Sequence, residues 1–407
     1  MPKHITEDSL KEGTILRYES LVLNKGQSNE DWKPAFDAAL ANYSIVKIPR
    51  GTYKTSTVSV PSGKVIYGEG DLTVLIPSST NLFDIVGSTE SEIAISESIP
   101  DFTDIIKVVS TPNLSANDYF MLKGQRDCMN ETDSGESWTL GYSTPGSQGL
   151  YFGEFMEVSI INGTTITTKS TTTFPNYLNT KSAETSPNAR DSTTIQKVLF
   201  AKDVVFKDFK ITKTSGTAFN FRYALNCKVD NVTMDASGYT DGMLQFIAFT
   251  FSLNCEGYNC RFKIPHPIAP SQHHYVNIYK AVSSTNCGFT RCYGYNATQT
   301  VDFSYSTLGI PCINCYVDYC TFENATQTGA TSHGGTYQVR WTGNTIRGSK
   351  QGICCRSRGS LISNNTILGA YVPSNSLSYG VCLYEGYATD CIVTGNTISN
   401  YASGILV

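Results

Sequence analysis

Three stretches decide the fold of this chain: CEGYNC (Cys255 to Cys260), CGFTRC (Cys287 to Cys292) and CYVDYC (Cys315 to Cys320). Each is a Cys-x4-Cys followed by a polar run, and such pairs arise as metal ligands, as disulfides or as packed thiols. Zinc sites join their cysteine pairs across one loop, often with histidine; here three pairs advance in step, more a ladder than a cage. The chain holds 13 cysteines, with twelve after position 226, and an odd number disfavours a full disulfide framework. The opening MPKHITEDSLKEGTILRYES has no apolar core, so neither a signal peptide nor a membrane span is expected. That places synthesis in a cytoplasm, where thiols stay reduced. Free cysteine behaves as a small hydrophobe, so these sulfurs are expected in the core, with no metal and no cofactor.

The sequence around the cysteines repeats. CKVDNVTM (from Cys227), CEGYNCRF, CGFTRCYG, CYVDYCTF, VRWTGNTI (from Val339), SLISNNTI (from Ser360) and CIVTGNTI (from Cys391) fall into register, and VVFKDFKI (from Val204) extends the series backwards. The steps between markers are 23, 28, 32, 28, 24, 21 and 31 residues. Helical repeats do not tolerate such irregularity. Coils of a parallel β-helix do, because loops between short strands lengthen freely. Each unit reads as β-branched or aromatic strands broken by Asn or Gly at a bend, and the bend lets both cysteines point inward despite their odd spacing. Coils stack about 4.8 Å apart, so the cysteines are expected in two interior columns. Val204, Val339 and Ser360 continue one, Phe209 and Val232 the other, and Asn344, Asn365 and Asn396 follow as an asparagine ladder.

Composition agrees. The 407 residues are 40% hydrophobic and 16% charged, a balance against disorder, and no linker divides them. A net charge of −4 without a Lys/Arg stripe excludes nucleic acid as the expected partner. NEDWKPAFDAAL, over residues 30–41, is an amphipathic helix with Trp32, Ala35, Phe36, Ala39 and Leu40 on one face. It suits a cap over the open first coil, whose edges would otherwise pair with other chains. SIVKIPRGTYKT and GKVIYGEG follow as strands, punctuated by Pro49, Gly51 and Gly68.

This helix, then an IPxGxY strand-turn, a VIxGxG strand and Asn-rich coils resemble the pectate-lyase-like right-handed parallel β-helix. More narrowly they resemble the tail-spike and appendage proteins of bacteriophages, strengthened by GQRDCMNETDSGESWTLGYSTPGSQGLYFGEFMEV and by QGICCRSRGSLISNNTI after SHGG. The resemblance covers residues 20 to 407; VLNKG departs from it by lacking an acidic residue before its glycine, and the sequence stops mid-strand at SGILV. The fold class implied is all-β: an N-terminal segment over 1–20, then a single-stranded β-helix over 21–407. Within it lie the 30–41 capping helix, an inserted or embellished coil region over 125–191, and regular coils over 204–407. The resemblance further implies a homotrimer with more carboxy-terminal sequence, a place in the virion tail beside other tail proteins, and assembly in the host cytoplasm without membrane insertion.

In a filled β-helix, function lies on an outer face. Period two along the longest strand of each coil assigns Phe219/Phe221, Leu244/Phe246, Val276/Ile278, Val301/Phe303, Ile353/Cys355 and Val381/Leu383 inward. One outward column is then Asn220, Gln245, Asn277, Asp302, Cys354 and Cys382; a second is Arg222, Ile247, Tyr279, Ser304, Arg356 and Tyr384. Polar groups interleaved with Tyr and Arg suit sugar hydroxyls and ring faces, though any β-helix must carry a solvated face. Asp241 and His273/His274 precede their strands, His333 sits in SHGG, Arg356 and Arg358 flank CCRSRG, and Glu385 ends CLYEG. Asp302, His333, Arg356 and Glu385 fall in four successive coils, which separates the two carboxylates by roughly 14 Å. Glycoside hydrolysis uses carboxyls about 5 to 9.5 Å apart, so Glu385 needs another carboxylate from a loop or subunit, or the acid–base pair is a different one.

The function expected is a depolymerase that hydrolyses a bacterial surface polymer: capsular polysaccharide, O-chain or wall teichoic acid. Asp302, Glu385 and His333 are its candidate catalysts. Arg356, Arg358, Asn277, Tyr279, Tyr384, Asp241 and His273 are candidates for holding substrate, the arginines by forking a carboxylate or phosphate. A non-catalytic receptor-binding spike and a polysaccharide lyase, which uses an Arg or Lys base and usually calcium, are the rival readings. The acids and aromatics of the 125–191 region could also wall a groove, but DCMNETDSGES lacks the alternating acids of an EF-hand loop.

Overall fold

The computed structural model describes residues 12–100, 102–127, 151–174, 177–180, 192–213, 215–240, 242–265, 276–305, 310–370, 378–384 and 388–407, with the side chains at 125–127 and 151 left aside. The chain is a right-handed parallel β-helix, the hand favoured when a parallel crossover returns to its sheet. A broad sheet collects the short strands around the cysteine pairs, such as Glu256–Tyr258 and Arg261–Lys263. A ten-stranded parallel sheet forms the second face, from Asn81–Val86 through Gln299–Ser304 to Tyr379–Leu383. Three two-residue strands, Cys312–Ile313, Thr336–Tyr337 and Ser357–Arg358, make a narrow third.

The cysteine pairs mark corners. A left-handed residue precedes each first cysteine (Asn226, Asn254, Asn286 and Asn314, φ 51 to 55) and each second one (Asn259, Arg291 and Tyr319, φ 51 to 56). Asn adopts this conformation at low cost because its short side chain bonds locally. The Asn254 and Asn286 amides each donate to the asparagine one coil back, at 3.4 and 3.1 Å.

Packing is only half of what the sulfurs do. At the corners, the N–H of Cys227 donates to Cys255 Sγ, that of Cys255 to Cys287 Sγ, and that of Cys292 to Cys320 Sγ, at 3.3 to 3.4 Å. The second column then changes chemistry while keeping the same role. There the N–H of Cys320 donates to Asn344 Oδ1, that of Asn344 to Asn365 and that of Asn365 to Asn396, each at 2.9 Å. A buried N–H needs a partner, and sulfur is a weak acceptor where an amide oxygen is a strong one. All twelve described cysteines are free thiols, and eleven are buried.

The capping helix runs from Lys33 to Asn42, three residues later at its start than the sequence suggests, with Pro34 in its first turn. Trp32, Ala35, Phe36, Ala39 and Leu40 are buried as expected, and Phe36 meets Phe83 of the ten-stranded sheet at 6.3 Å between ring centroids. The excursion is wider than residues 125–191. An antiparallel six-stranded sheet spans Ser88–Ala94 to Thr194–Leu199. Phe120, Leu122, Met156 and Ile195 of that sheet share a core with Ile313 and Tyr337, so the excursion seats on the narrow third sheet.

Candidate functional site

The ten-stranded sheet is creased, and the crease makes the site. Strict alternation fails at one point in the strands between Asn81–Val86 and Tyr379–Leu383, where two consecutive residues point inward: Ile278 and Tyr279 in one coil, Thr300 and Val301 in the next, all fully buried. Glycine takes the first of these positions in three later coils. A Cβ at Gly352 would stand 2.2 Å from the Gly380 carbonyl, and one at Gly380 2.2 Å from Ile398 Cγ2. Outward residues on either side of the fold are therefore three apart and turned toward each other. Asn81 bonds Asp84 at 2.8 Å, Cys354 bonds Gln351 at 3.1 Å, and Asn277 Nδ2 crosses to Asp302 Oδ2 in the next coil at 3.1 Å.

The paired columns run Asn277–Gln299–Thr328–Gln351 and Lys280–Asp302–Thr331–Cys354. Between them lies a polar groove of about 620 Å³, with Gln327 and Lys350 on one rim and His333 and Arg356 on the other. Asp302 sits at its floor, 2% exposed. Lys280 Nζ lies 2.9 Å from Oδ2, and His333 Nε2 lies 3.2 Å from Oδ1. Burial works to raise the carboxyl pKa, but the positive charges of Lys280 and His333 outweigh it and hold Asp302 well below the usual carboxylate range.

His333 is fixed by its backbone, whose N–H donates to the Phe303 carbonyl at 2.8 Å and whose carbonyl accepts from Thr336 Oγ1 at 2.9 Å. Arg356 N donates to Ser332 Oγ at 3.1 Å, and its guanidinium lies 3.9 Å from the Tyr384 ring centroid. Chemically, the floor offers an ionised carboxylate that orients an imidazole for proton transfer, flanked by ammonium, guanidinium and amide donors.

Asp302, His333, Arg356 and Asn277 thus meet in the groove, and Tyr384 stacks behind Arg356. Asn277 belongs to the opposite column from Asp302, not to the same one. Tyr279 is a correction: it is core, fully buried, with its hydroxyl donating to the carbonyls of Cys260 and Tyr293 at 3.1 and 2.8 Å. The crease shifts inward positions, so Ile247 and Phe249, Tyr279 and Ala281 align with Phe219 and Phe221. Arg358 lies around the next bend beside Tyr337 on the third sheet, away from the groove lining. Glu385, Asp241 and His273 lie outside the described residues. No described residue of the excursion is among the groove-lining ones. Lys280 was missed because alternation assigned the outward place to Tyr279; NIYKAV carries a lysine amid apolar residues, which was the available signal.

No protein-family model matches the sequence, and no curated protein does either. Solved structures do. The gp54 tailspike of Acinetobacter baumannii bacteriophage AP22, solved in complex with A. baumannii capsular saccharide, is 14% identical with TM-score 0.60, over 97% of this chain and 69% of that one. The tailspike protein gp49 of Pseudomonas phage LKA1 is 18% identical with TM-score 0.57, over 92% and 70%. PfbA, a surface adhesin of Streptococcus pneumoniae, is 14% identical with TM-score 0.53, over 97% and 81%. What this chain shares with phage tailspikes at such identities is the fold, the right-handed parallel β-helix.

Proposed function

We propose that the protein is a bacteriophage tail spike that binds a bacterial surface polymer (capsule, O-antigen or wall teichoic acid) along the creased sheet and hydrolyses it. The observation that carries this reading is the floor of the groove: a buried, ionised Asp302 holding His333, open to a polar trough of amides, hydroxyls and cations. With its pKa depressed, Asp302 is a weak proton carrier, so His333 takes the acid–base role and Asp302 keeps it oriented and charged. Arg356 and Asn277 position the polymer. The same reading makes the protein a virion component, a homotrimer joined to other tail proteins after synthesis in the host cytoplasm.

A second reading, a receptor-binding spike without catalysis, is favoured by one fact. Asp302 is the sole carboxylate among the described residues that line the groove, whereas two-carboxyl glycoside hydrolysis uses a pair about 5 to 9.5 Å apart. Incubation with purified capsules, O-chains and teichoic acids from a panel of bacteria, followed by mass spectrometry, separates the readings. Discrete oligomers gaining water, absent with His333→Ala, support hydrolysis; unsaturated ends mark a lyase. Tight binding with no shortening of any polymer leaves the binding spike.

A further inference from the structure

Two of the buried cysteines stand apart from the rest. Cys354 and Cys382 lie in the outward column of the creased sheet, after Lys280, Asp302 and Thr331, and Cys354 lines the groove. They are direct partners across neighbouring coils of a parallel pair, so their side chains leave the sheet on the same side. Such partners stand about 4.8 Å apart, inside the range of about 4.4 to 6.8 Å between Cα atoms that a disulfide spans. The two sulfurs are already bonded: the Cys354 thiol donates to the Cys382 sulfur and pulls it below its ordinary value, while the same bond pushes Cys354 up.

The corner cysteines also stack one coil apart, but their sulfurs are occupied. Cys255, Cys287 and Cys320 each accept a backbone N–H from the coil before, and a disulfide there would weaken the bond to a buried donor. Among the described residues, no backbone N–H donates to Cys354 or Cys382. Cys354 instead donates to Gln351 Oε1 at 3.1 Å, and that oxygen keeps a second donor in Thr328 Oγ1, also at 3.1 Å. Linking these two sulfurs therefore leaves no buried backbone group without its partner.

We infer that Cys354 and Cys382 are a site of oxidation, closing to a disulfide across two coils at the end of the groove when a peroxide enters it. The inference goes beyond the polymer-binding reading and stands without it. The Cys382 thiolate attacks one oxygen of hydrogen peroxide; the O–O bond breaks, leaving a sulfenic acid and a hydroxide that the released thiol proton turns to water. The Cys354 sulfur then attacks that of Cys382 and displaces a second hydroxide, which leaves as water with the Cys354 proton. The thiols give up a pair of electrons and their hydrogens, and the peroxide becomes two waters. The product staples the strand Gln351–Cys355 to Tyr379–Leu383.

The test uses the full chain with Cys391→Ser, which removes the half-buried thiol, and Cys128→Ser, which removes the cysteine outside the described residues. What remains is the eleven buried cysteines. The folded, reduced protein is treated with hydrogen peroxide, quenched, denatured and counted for free thiols, with its intact mass measured alongside. The expected result is a loss of two thiols, a mass lower by two hydrogen atoms, a cross-link within one chain on a non-reducing gel, and full recovery with dithiothreitol. Cys354→Ser and Cys382→Ser, each added singly, should abolish the cross-link. An unchanged thiol count overturns the inference, and so does a gain of oxygen without a cross-link. A cross-link that survives Cys382→Ser overturns it too, by assigning the oxidation to other cysteines.

Discussion

Two columns of side chains run along the same coils and obey different rules. The corner column reads Cys260, Cys292, Cys320, Asn344, Asn365; the groove column reads Lys280, Asp302, Thr331, Cys354. In the first, every member meets the same thing, a backbone N–H one coil back, so only residues that accept a bond and fit a corner will serve. In the second, each member faces the trough and a different set of side chains, so chemistry changes at every step. Repetition in a β-helix thus marks what the fold needs, and a break in repetition marks where something other than the next coil is being met.

The groove column should give the larger effects on function. Asp302→Asn keeps the shape but leaves His333 without its anion, and His333→Ala removes the proton carrier. Each is expected to lower polymer cleavage by about 100-fold or more, read as the rate of oligomer release. Cleavage surviving both substitutions would take catalysis out of the groove and leave it a binding surface.

The corner column should give the larger effects on stability, and it permits a sharper contrast. Asn344 accepts from the Cys320 N–H and donates to the Val317 carbonyl at 2.8 Å, in a fully enclosed place. Asn344→Leu orphans both and is expected to cost about 3 kcal/mol, measured by denaturant unfolding. Asn344→Cys restores the arrangement found one coil earlier and should cost less than half of that. Equal losses for the two would mean that packing volume alone, not the shared role as acceptor, allows sulfur and amide to interchange.

The same contrast explains what could be read in advance. The corner column was legible because identical surroundings leave identical residues, so register follows from the sequence alone, and the capping helix was legible from its apolar stripe. The groove was half legible. Asp302, His333 and Arg356 stand out as charged residues in apolar or glycine-rich stretches, but Tyr279 and Lys280 exchanged places because a crease puts two inward residues together, where alternation expects one. Nothing in NIYKAV announces that crease; glycines announce it only in the later coils, at Gly329, Gly352 and Gly380. The excursion was placed too late in the chain because its antiparallel strands begin at Ser88, before the sequence turns acidic and aromatic.

Acid should separate the columns again. Asp302 is depressed below the unfolded carboxyl value of about 3.9. The stability it contributes is complete above that value and drains away as pH falls below it. Wild type should therefore lose stability more steeply than Asp302→Asn below about pH 4, and the gap between them should narrow in thermal melts. A gap constant down to about pH 2 would mean that Asp302 does not titrate with folding. The corner columns have no ionised group in this range and contribute no such slope.

The smallest effect concerns the far end of the other corner column, that of Cys227, Cys255, Cys287 and Cys315, where Cys391 is half-buried while the cysteines behind it are enclosed. Burial pushes the Cys255 and Cys315 thiols well above their ordinary value, so no reactive thiolate forms there in the folded protein. Cys391 is different: the neighbouring Cys355 thiol hydrogen-bonds its sulfur and pulls it down to about 7. With iodoacetamide, Cys391 should be the first described cysteine to react, its rate rising through about pH 7 and levelling above it. After denaturation all 13 cysteines of the chain should react. Cys355→Ala should move the Cys391 midpoint upward toward an ordinary thiol, whereas Cys260→Ala should leave it where it was. If the Cys355 substitution has no effect, exposure alone sets the reactivity, and the column acts on its last member through packing and not through the bond from sulfur to sulfur.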